Sequence, residues 1–163
     1  FGFEIEFRKN ILMNDDNNAL LSLGGNAAFT DTKQDLKPVR TSDGFTFGTD
    51  FGSRTTAALQ GASPVIVNAD VTFSPEFGKF KPQATATFSY FSDRIYALGS
   101  GDLGNMVEKG VPYLNLIIKN NFGENLEASL NITNLLNPNV SLVREGTSAQ
   151  NSPFLQGTGF ILQ

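Results

Sequence analysis

Residues Phe1–Arg8 read FGFEIEFR, and the pattern in that stretch recurs through the whole chain. Phe1, Phe3, Ile5 and Phe7 fall on one side of an extended strand, and Gly2, Glu4, Glu6 and Arg8 fall on the other. Successive side chains of a strand point to opposite faces, so one face seeks an apolar surrounding and the other seeks water. The same two-residue period predicts seven extended segments: Phe1–Lys9, Ala19–Thr32, Ser63–Phe73, Lys81–Leu98, Val111–Asn121, Leu126–Val143 and Gln156–Gln163. In the fourth, for example, Ala84, Ala86, Phe88 and Tyr90 alternate with Gln83, Thr85, Thr87 and Ser89. A helical period fits none of the segments as well.

A soluble β-sandwich produces the same binary code, so other features must separate it from a membrane β-barrel. Several segments reach the ~9–11 residues that a tilted strand needs to cross a bilayer. Their polar side carries Asn, Thr, Ser, Gln and Glu almost without interruption, as a water-filled or plugged lumen requires. The connections alternate between short turns (10–18, 74–80, 122–125) and longer, Gly-, Ser- and Asn-rich loops (33–62, 99–110, 145–155). Outer-membrane barrels have short periplasmic turns and long extracellular loops, which orients the first strand downward. Aromatics reinforce that orientation: Phe7, Phe73, Phe77, Phe80 and Phe122 fall beside the short turns, and Phe29, Tyr90 and Tyr113 toward the opposite ends. The outward positions are expected to carry no charge.

Composition excludes much else. The chain has neither cysteine nor histidine, which removes disulfides, thiolate chemistry, the commonest metal ligand and the usual general base. A net charge of −4 and a pI near 4.7 argue against nucleic acid as a partner. Mean hydropathy is −0.13, and no apolar run approaches the ~18 residues of a membrane helix. No signal peptide opens the chain, and the alternation is still running in the closing GTGFILQ, so residues 1–163 read as one portion of a longer barrel.

Four stretches then carry a resemblance. LQGASPVIVNADVTF (Leu59–Phe73) is similar to the "LQGQSPYIVNAGLxY" strand of TonB-dependent outer-membrane receptors of the Bacteroidetes type. FSDRIYALG (Phe91–Gly99) resembles the "xxGxRIxxVG" one hairpin later, LEASLNITNLLNP (Leu126–Pro138) the penultimate-strand motif ending in "NLLN", and GFEIEFRKN (Gly2–Asn10) the upstream "GxExExRKN". The four occur in the family's order. Ala62, Val65 and Ser92 depart from it, and the terminal aromatic of the last strand is missing.

The resemblance implies an all-β fold: an antiparallel transmembrane β-barrel segment, the C-terminal seven or so strands of a barrel of about 22. It further implies residence in the bacterial outer membrane, TonB-dependent import of an extracellular nutrient, and no enzyme activity or cofactor. The implied partners are membrane lipids, the TonB-ExbB-ExbD complex acting through a plug domain absent from these residues, and a surface lipoprotein. A receptor-like barrel serving only as a scaffold subunit is the alternative, and the substrate stays open among siderophores, glycans, peptides and cobalamin.

Two groups of residues are candidates for function. Glu4, Glu6, Arg8, Asn26, Asn68, Asp70, Gln83, Glu127 and Asn131 would line the lumen. Arg40, Phe45, Phe47, Phe51 and Arg54 mix charge and aromatic surface on the longest loop, which suits ligand or partner capture as well as packing over the barrel mouth. Other motifs have ordinary readings. Gly99–Gly104 matches GxGxxG, but Gly110 and Pro112 bar the helix that a dinucleotide fingerprint needs. The Glu4/Glu6 pair, about 7 Å apart, fits a polar wall better than a glycosidase, and Asn14–Asn18 fits a turn better than a calcium loop.

Overall fold

The alternating β-branched and aromatic residues form strands throughout the computed structural model. It describes every residue except 38, 41–45, 48–49, 79, 102, 123–125, 147–149, 156 and 163; the side chains of 39–40, 46–47 and 150–155 also lie outside the description. No helix occurs among the described residues. In chain order the strands are β1 (Gly2–Met13), β2 (Ala19–Thr30), β3 (Gln34–Asp35), β4 (Val39–Arg40), β5 (Thr46–Phe47), β6 (Thr56–Ala57), β7 (Val65–Phe73) and β8 (Phe80–Phe91). They continue with β9 (Arg94–Ala97), β10 (Met106–Glu108), β11 (Val111–Phe122), β12 (Leu126–Thr133), β13 (Asn139–Arg144), β14 (Gln150–Leu155) and β15 (Gly159–Leu162).

Seven of these make one antiparallel sheet, ordered β1-β2-β7-β8-β11-β12-β15, so the all-β antiparallel expectation holds. Among the described residues the sheet is open: β1 pairs with β2 alone and β15 with β12 alone, and no closed barrel is formed. A second sheet, ordered β14-β13-β10-β9, prolongs the β8, β11, β12 and β15 part of the first in the same spatial order. Two strand pairs, β3-β6 and β4-β5, decorate the longest loop.

Register fixes which side chains share a face. One row runs Phe3, Phe29, Val65, and another runs Leu23, Val71, Ala86, Leu116, Ile132, Phe160. Among the described residues nothing covers this apolar face. Phe3 is 64% exposed, Leu23 37% and Val71 40%. Only Leu36, Val111 and Val140 are buried hydrophobics among the described residues. The accessible surface is 11041 Å², whereas a compact monomer of this mass exposes about 7,900 Å². The row is therefore not sealed against a second sheet, as it would be in a sandwich.

Several expectations need correction. Lys81–Leu98 and Leu126–Val143 are each two strands. The first breaks at Ser92-Asp93, where Asp93 bonds the Gly110 N–H, and the second breaks at a turn in which Asn134 and Asn137 take φ of 56° and 41°. Asparagine tolerates that left-handed region better than most residues. The first strand runs on to Met13, which leaves Phe7 in mid-strand with its ring over Gly25; a Cβ on Gly25 would meet that ring at 2.9 Å. Tyr113 is paired with Ser89 and belongs to the polar face, not to an outward girdle. Lys9 is paired with Leu23 on the apolar face, so that face is not free of charge. Finally, β14 occupies a stretch expected to be loop, and among the described residues of the last segment the strand covers Gly159–Leu162.

Candidate functional site

The polar face is the first candidate. All nine wall residues lie on it by register: Glu6 pairs with Asn26 and Asn26 with Asn68; Arg8 with Gly24 and Gly24 with Asp70. Gln83 pairs with Lys119, whose partner on the far side is Ser129, and Glu127 and Asn131 flank Ser129 on the same face. Side chains link along it. The Asn68 amide donates to Asn26 Oδ1 at 2.9 Å, and the Asn26 amide donates to Glu4 at 2.8 Å. Gly24 carries no side chain between Arg8 and Asp70, so the two approach to 3.7 Å across an intervening strand. A Cβ at Gly24 would lie 2.5 Å from the Asp70 carboxylate. Gln83 donates to Ser74, and Glu127 sits 4.0 Å from Lys119. Toward the loop end, Ile66, Phe91, Val111 and Tyr113 interrupt the polar face, contrary to its expected continuity.

At the turn end, the 14–18 turn is closed by its own asparagines. Asn18 N–H donates to Asn14 Oδ1 at 2.7 Å, and Asn17 takes φ of 65°. Asn14 and Asn18 then donate their amides to Glu76 on the next turn. Among the described residues no group of three or more acidic or metal-binding side chains clusters as a metal site.

The loop end is the second candidate. Of the loop residues singled out, Phe45 and the side chains of Arg40 and Phe47 lie outside the described residues. Phe51 and Arg54 do not project as a free capture surface. Arg54 is inserted among backbone carbonyls, donating to Gly99 O at 2.5 Å, Leu103 O at 3.3 Å and Phe51 O at 3.3 Å, and to Asn105 Oδ1 at 2.9 Å. Asn105 is buried, and it passes the link on: its N–H donates to Glu145 and its carbonyl accepts from the Glu145 N–H. One arginine therefore ties the 33–62, 99–110 and 145–155 loops together.

Below these loops, where wall strands pass into the second sheet, a group not singled out from sequence holds the corner. Lys109 and Asp93 form an ion pair at 2.5 Å, and Gly110 N–H donates to the same carboxylate at 2.8 Å. Partial desolvation works to raise the Asp93 pKa, but the Gly110 N–H and the Lys109 ammonium outweigh it and hold the carboxyl below its ordinary value. Arg94 meets Glu108 bidentately at 2.9 and 3.1 Å. The only sequence hint was the DR dipeptide in FSDRIYALG, since its partners Glu108 and Lys109 lie a whole hairpin arm away.

In the Gly99–Gly104 stretch Gly101 takes φ of 57°, and the next element is the strand β10 rather than the helix a dinucleotide fingerprint needs. A cleft of about 520 Å³ opens between the 58–64 segment, β9, β10 and the end of β13, and a groove of about 290 Å³ crosses the polar wall at Glu6, Arg8, Asn26, Asn68 and Asp70. Compared with protein-family models, with curated proteins and with solved structures, the chain shows no significant match in any of the three.

Proposed function

We propose that this sheet is part of the wall of an outer-membrane β-barrel of the TonB-dependent receptor type, whose function is import of an extracellular nutrient. The observation that carries the reading is the uncovered apolar face: seven strands, up to twelve residues long, with three buried hydrophobic residues among those described. Water would be a poor solvent for such a face, and hydrocarbon a good one. In support, twelve residues at about 3.4 Å rise and about 45° tilt span about 29 Å, close to a bilayer's apolar thickness. The opposite face is polar and linked by side-chain hydrogen bonds, as suits a lumen wall. Transport, TonB coupling and a lipoprotein partner rest on the motif resemblance in the four stretches quoted above.

The chain lacks cysteine, so single cysteines report cleanly. Polarity-sensitive labels at Val71, Ala86 and Leu116 should be quenched by lipid-borne nitroxides in outer-membrane vesicles, and labels at Asp70, Thr87 and Asn115 by an aqueous quencher. Loss of this alternation, or a monodisperse folded protein in plain buffer, would end the membrane reading. Ligand-dependent cross-linking to TonB in living cells should accompany it, and consistent failure to cross-link would refute import while leaving the wall intact.

A further inference from the structure

We propose that Lys9 holds the phosphate of an anionic glycerophospholipid in the bilayer leaflet at the turn end of the sheet; this rests on the membrane reading above and names one lipid contact within it. By register Lys9 lies on the apolar face opposite Leu23, and Leu23 leads across to Val71 and Ala86. Among the described residues of the seven strands it is the one charged side chain on that face. Glu4, Glu6, Arg8, Asp70, Lys81, Lys119 and Glu127 all lie on the other. The two neighbouring cations of β1 therefore differ. Arg8 reaches Asp70 across the polar face, whereas Lys9 enters no ion pair among the described residues.

An unpaired ammonium on a lipid-facing surface costs least where it reaches the headgroups. Lys9 is four residues from Met13, the turn end of β1, which at about 3.4 Å rise and about 45° tilt is about 10 Å. Its flexible four-carbon stem shortens that distance while lying on apolar surface. The surface around it suits acyl chains. Phe7, Leu12 and Leu23 are exposed, and a bulge between Asn10 and Leu12 sets Leu12 opposite Leu21, so the apolar face resumes beyond the lysine. A free phosphate must leave water to meet an ammonium set in that surface, whereas a lipid phosphate arrives with chains that cover it. Charge chooses among lipids. With one cation and no acid on this face, a headgroup of net negative charge neutralises it, and a zwitterionic headgroup brings a competing ammonium.

The test uses the full-length protein in phosphatidylcholine vesicles, with a fluorescent label at Ile11→Cys, two residues on from Lys9. A second variant carries the label at Ile118→Cys, on the same face four strands away. The quenchers are phosphatidylglycerol and phosphatidylcholine bearing a nitroxide at the same chain carbon. Phosphatidylglycerol should be enriched about fivefold over phosphatidylcholine at the Ile11 label, and not at the Ile118 label. Lys9→Arg should keep that preference and Lys9→Ala should abolish it, with gel mobility confirming the fold. Equal quenching by the two lipids at Ile11 would overturn the assignment, and is the result expected if an acid on a strand completing the β1 edge meets Lys9 instead. A preference that survives Lys9→Ala, or one as strong at Ile118, would overturn it too. Both lipids quench any lipid-facing label, so equal quenching at both positions removes the Lys9 contact alone. No quenching by either lipid at either position removes the membrane reading with it.

Discussion

Leu116 and Ile117 are adjacent, isomeric and similarly apolar, and expected to respond oppositely to arginine. In β11 the sequence LNLIIK gives no clean alternation, so composition alone ranks the two positions alike. Register separates them. Leu116 pairs with Ala86 and Ile132 on the uncovered apolar face, whereas Ile117 pairs with Thr85 and Asn131 on the polar face. Leu116 is the sixth of the twelve residues of the strand, which puts it near the middle of an apolar layer crossed by that strand. Arginine at the midplane of a lipid-facing barrel position costs about 2–4 kcal/mol. That corresponds to a roughly 30- to 700-fold fall in the folded-to-unfolded ratio. Ile117→Arg instead places its guanidinium against hydrated hydroxyl and amide groups and should cost about 1 kcal/mol. Denaturant titration in phospholipid vesicles, read by protease protection and cold gel mobility, measures both. A cost for Ile117→Arg equal to or above that for Leu116→Arg would refute the assignment of faces and the membrane argument built on it.

Other outcomes follow from the corner and the cap. Gly110→Ala should destabilise the protein by about 1–3 kcal/mol, because a methyl group there meets Phe91 O and the Ser92 backbone; a denaturant midpoint unchanged from wild type would contradict that crowding. Arg54→Ala should raise hydrogen exchange in the 99–105 and 143–146 segments together, by up to about 10- to 100-fold if roughly 1.5–3 kcal/mol of charge-assisted bonding is lost. Arg54→Lys, lacking the planar fork, should restore only part of the protection, and a change confined to one loop would disprove the tie. Asp93 has a folded pKa below that of an ordinary aspartate, so its contribution to stability is complete above the ordinary value and is lost as pH falls through the lower folded one. The stability difference between wild type and Asp93→Asn should therefore be flat at neutral pH and shrink in acid; a difference that widens on acidification would reverse the sign of this interaction.

The extended segments were legible because β1, β2, β7 and β8 alternate cleanly, and a period of two needs no knowledge of the partner strand. That the nine polar candidates share one face was legible for the same reason. What alternation does not encode is where a strand bends. The breaks at Ser92-Asp93 and in Asn134–Pro138 depend on Asp93 finding Gly110 and on Asn134 donating to Gly157 O, contacts between residues distant in the chain. The partners of Arg54 were hidden for a related cause. A charged residue among aromatics on a long loop looks like a ligand contact until the carbonyls of another loop are seen to use its donors. Tyr113 shows the converse error: side-chain type suggested the apolar face, and pairing put it on the other.

Strand parity constrains what completes this sheet. Every neighbouring pair in the seven-stranded order is antiparallel, so the first and last members, β1 and β15, run in the same direction. Closing one onto the other would create a parallel seam joining a strand of twelve residues to one of four. A ring of several copies with a common membrane orientation meets the same obstacle, because each junction sets β1 of one copy beside β15 of the next. An antiparallel barrel containing this sheet therefore needs an odd number of further strands between its two edges. Unpaired edges are not tolerated in hydrocarbon, so the requirement is energetic as well as topological. Paired cysteines replacing Phe3 and Phe160, or Glu6 and Ile161, should give no disulfide within a chain or between copies in the membrane. Efficient cross-linking of either pair would mean that seven strands close on themselves or on a neighbouring copy through a parallel seam, and the parity argument would be wrong.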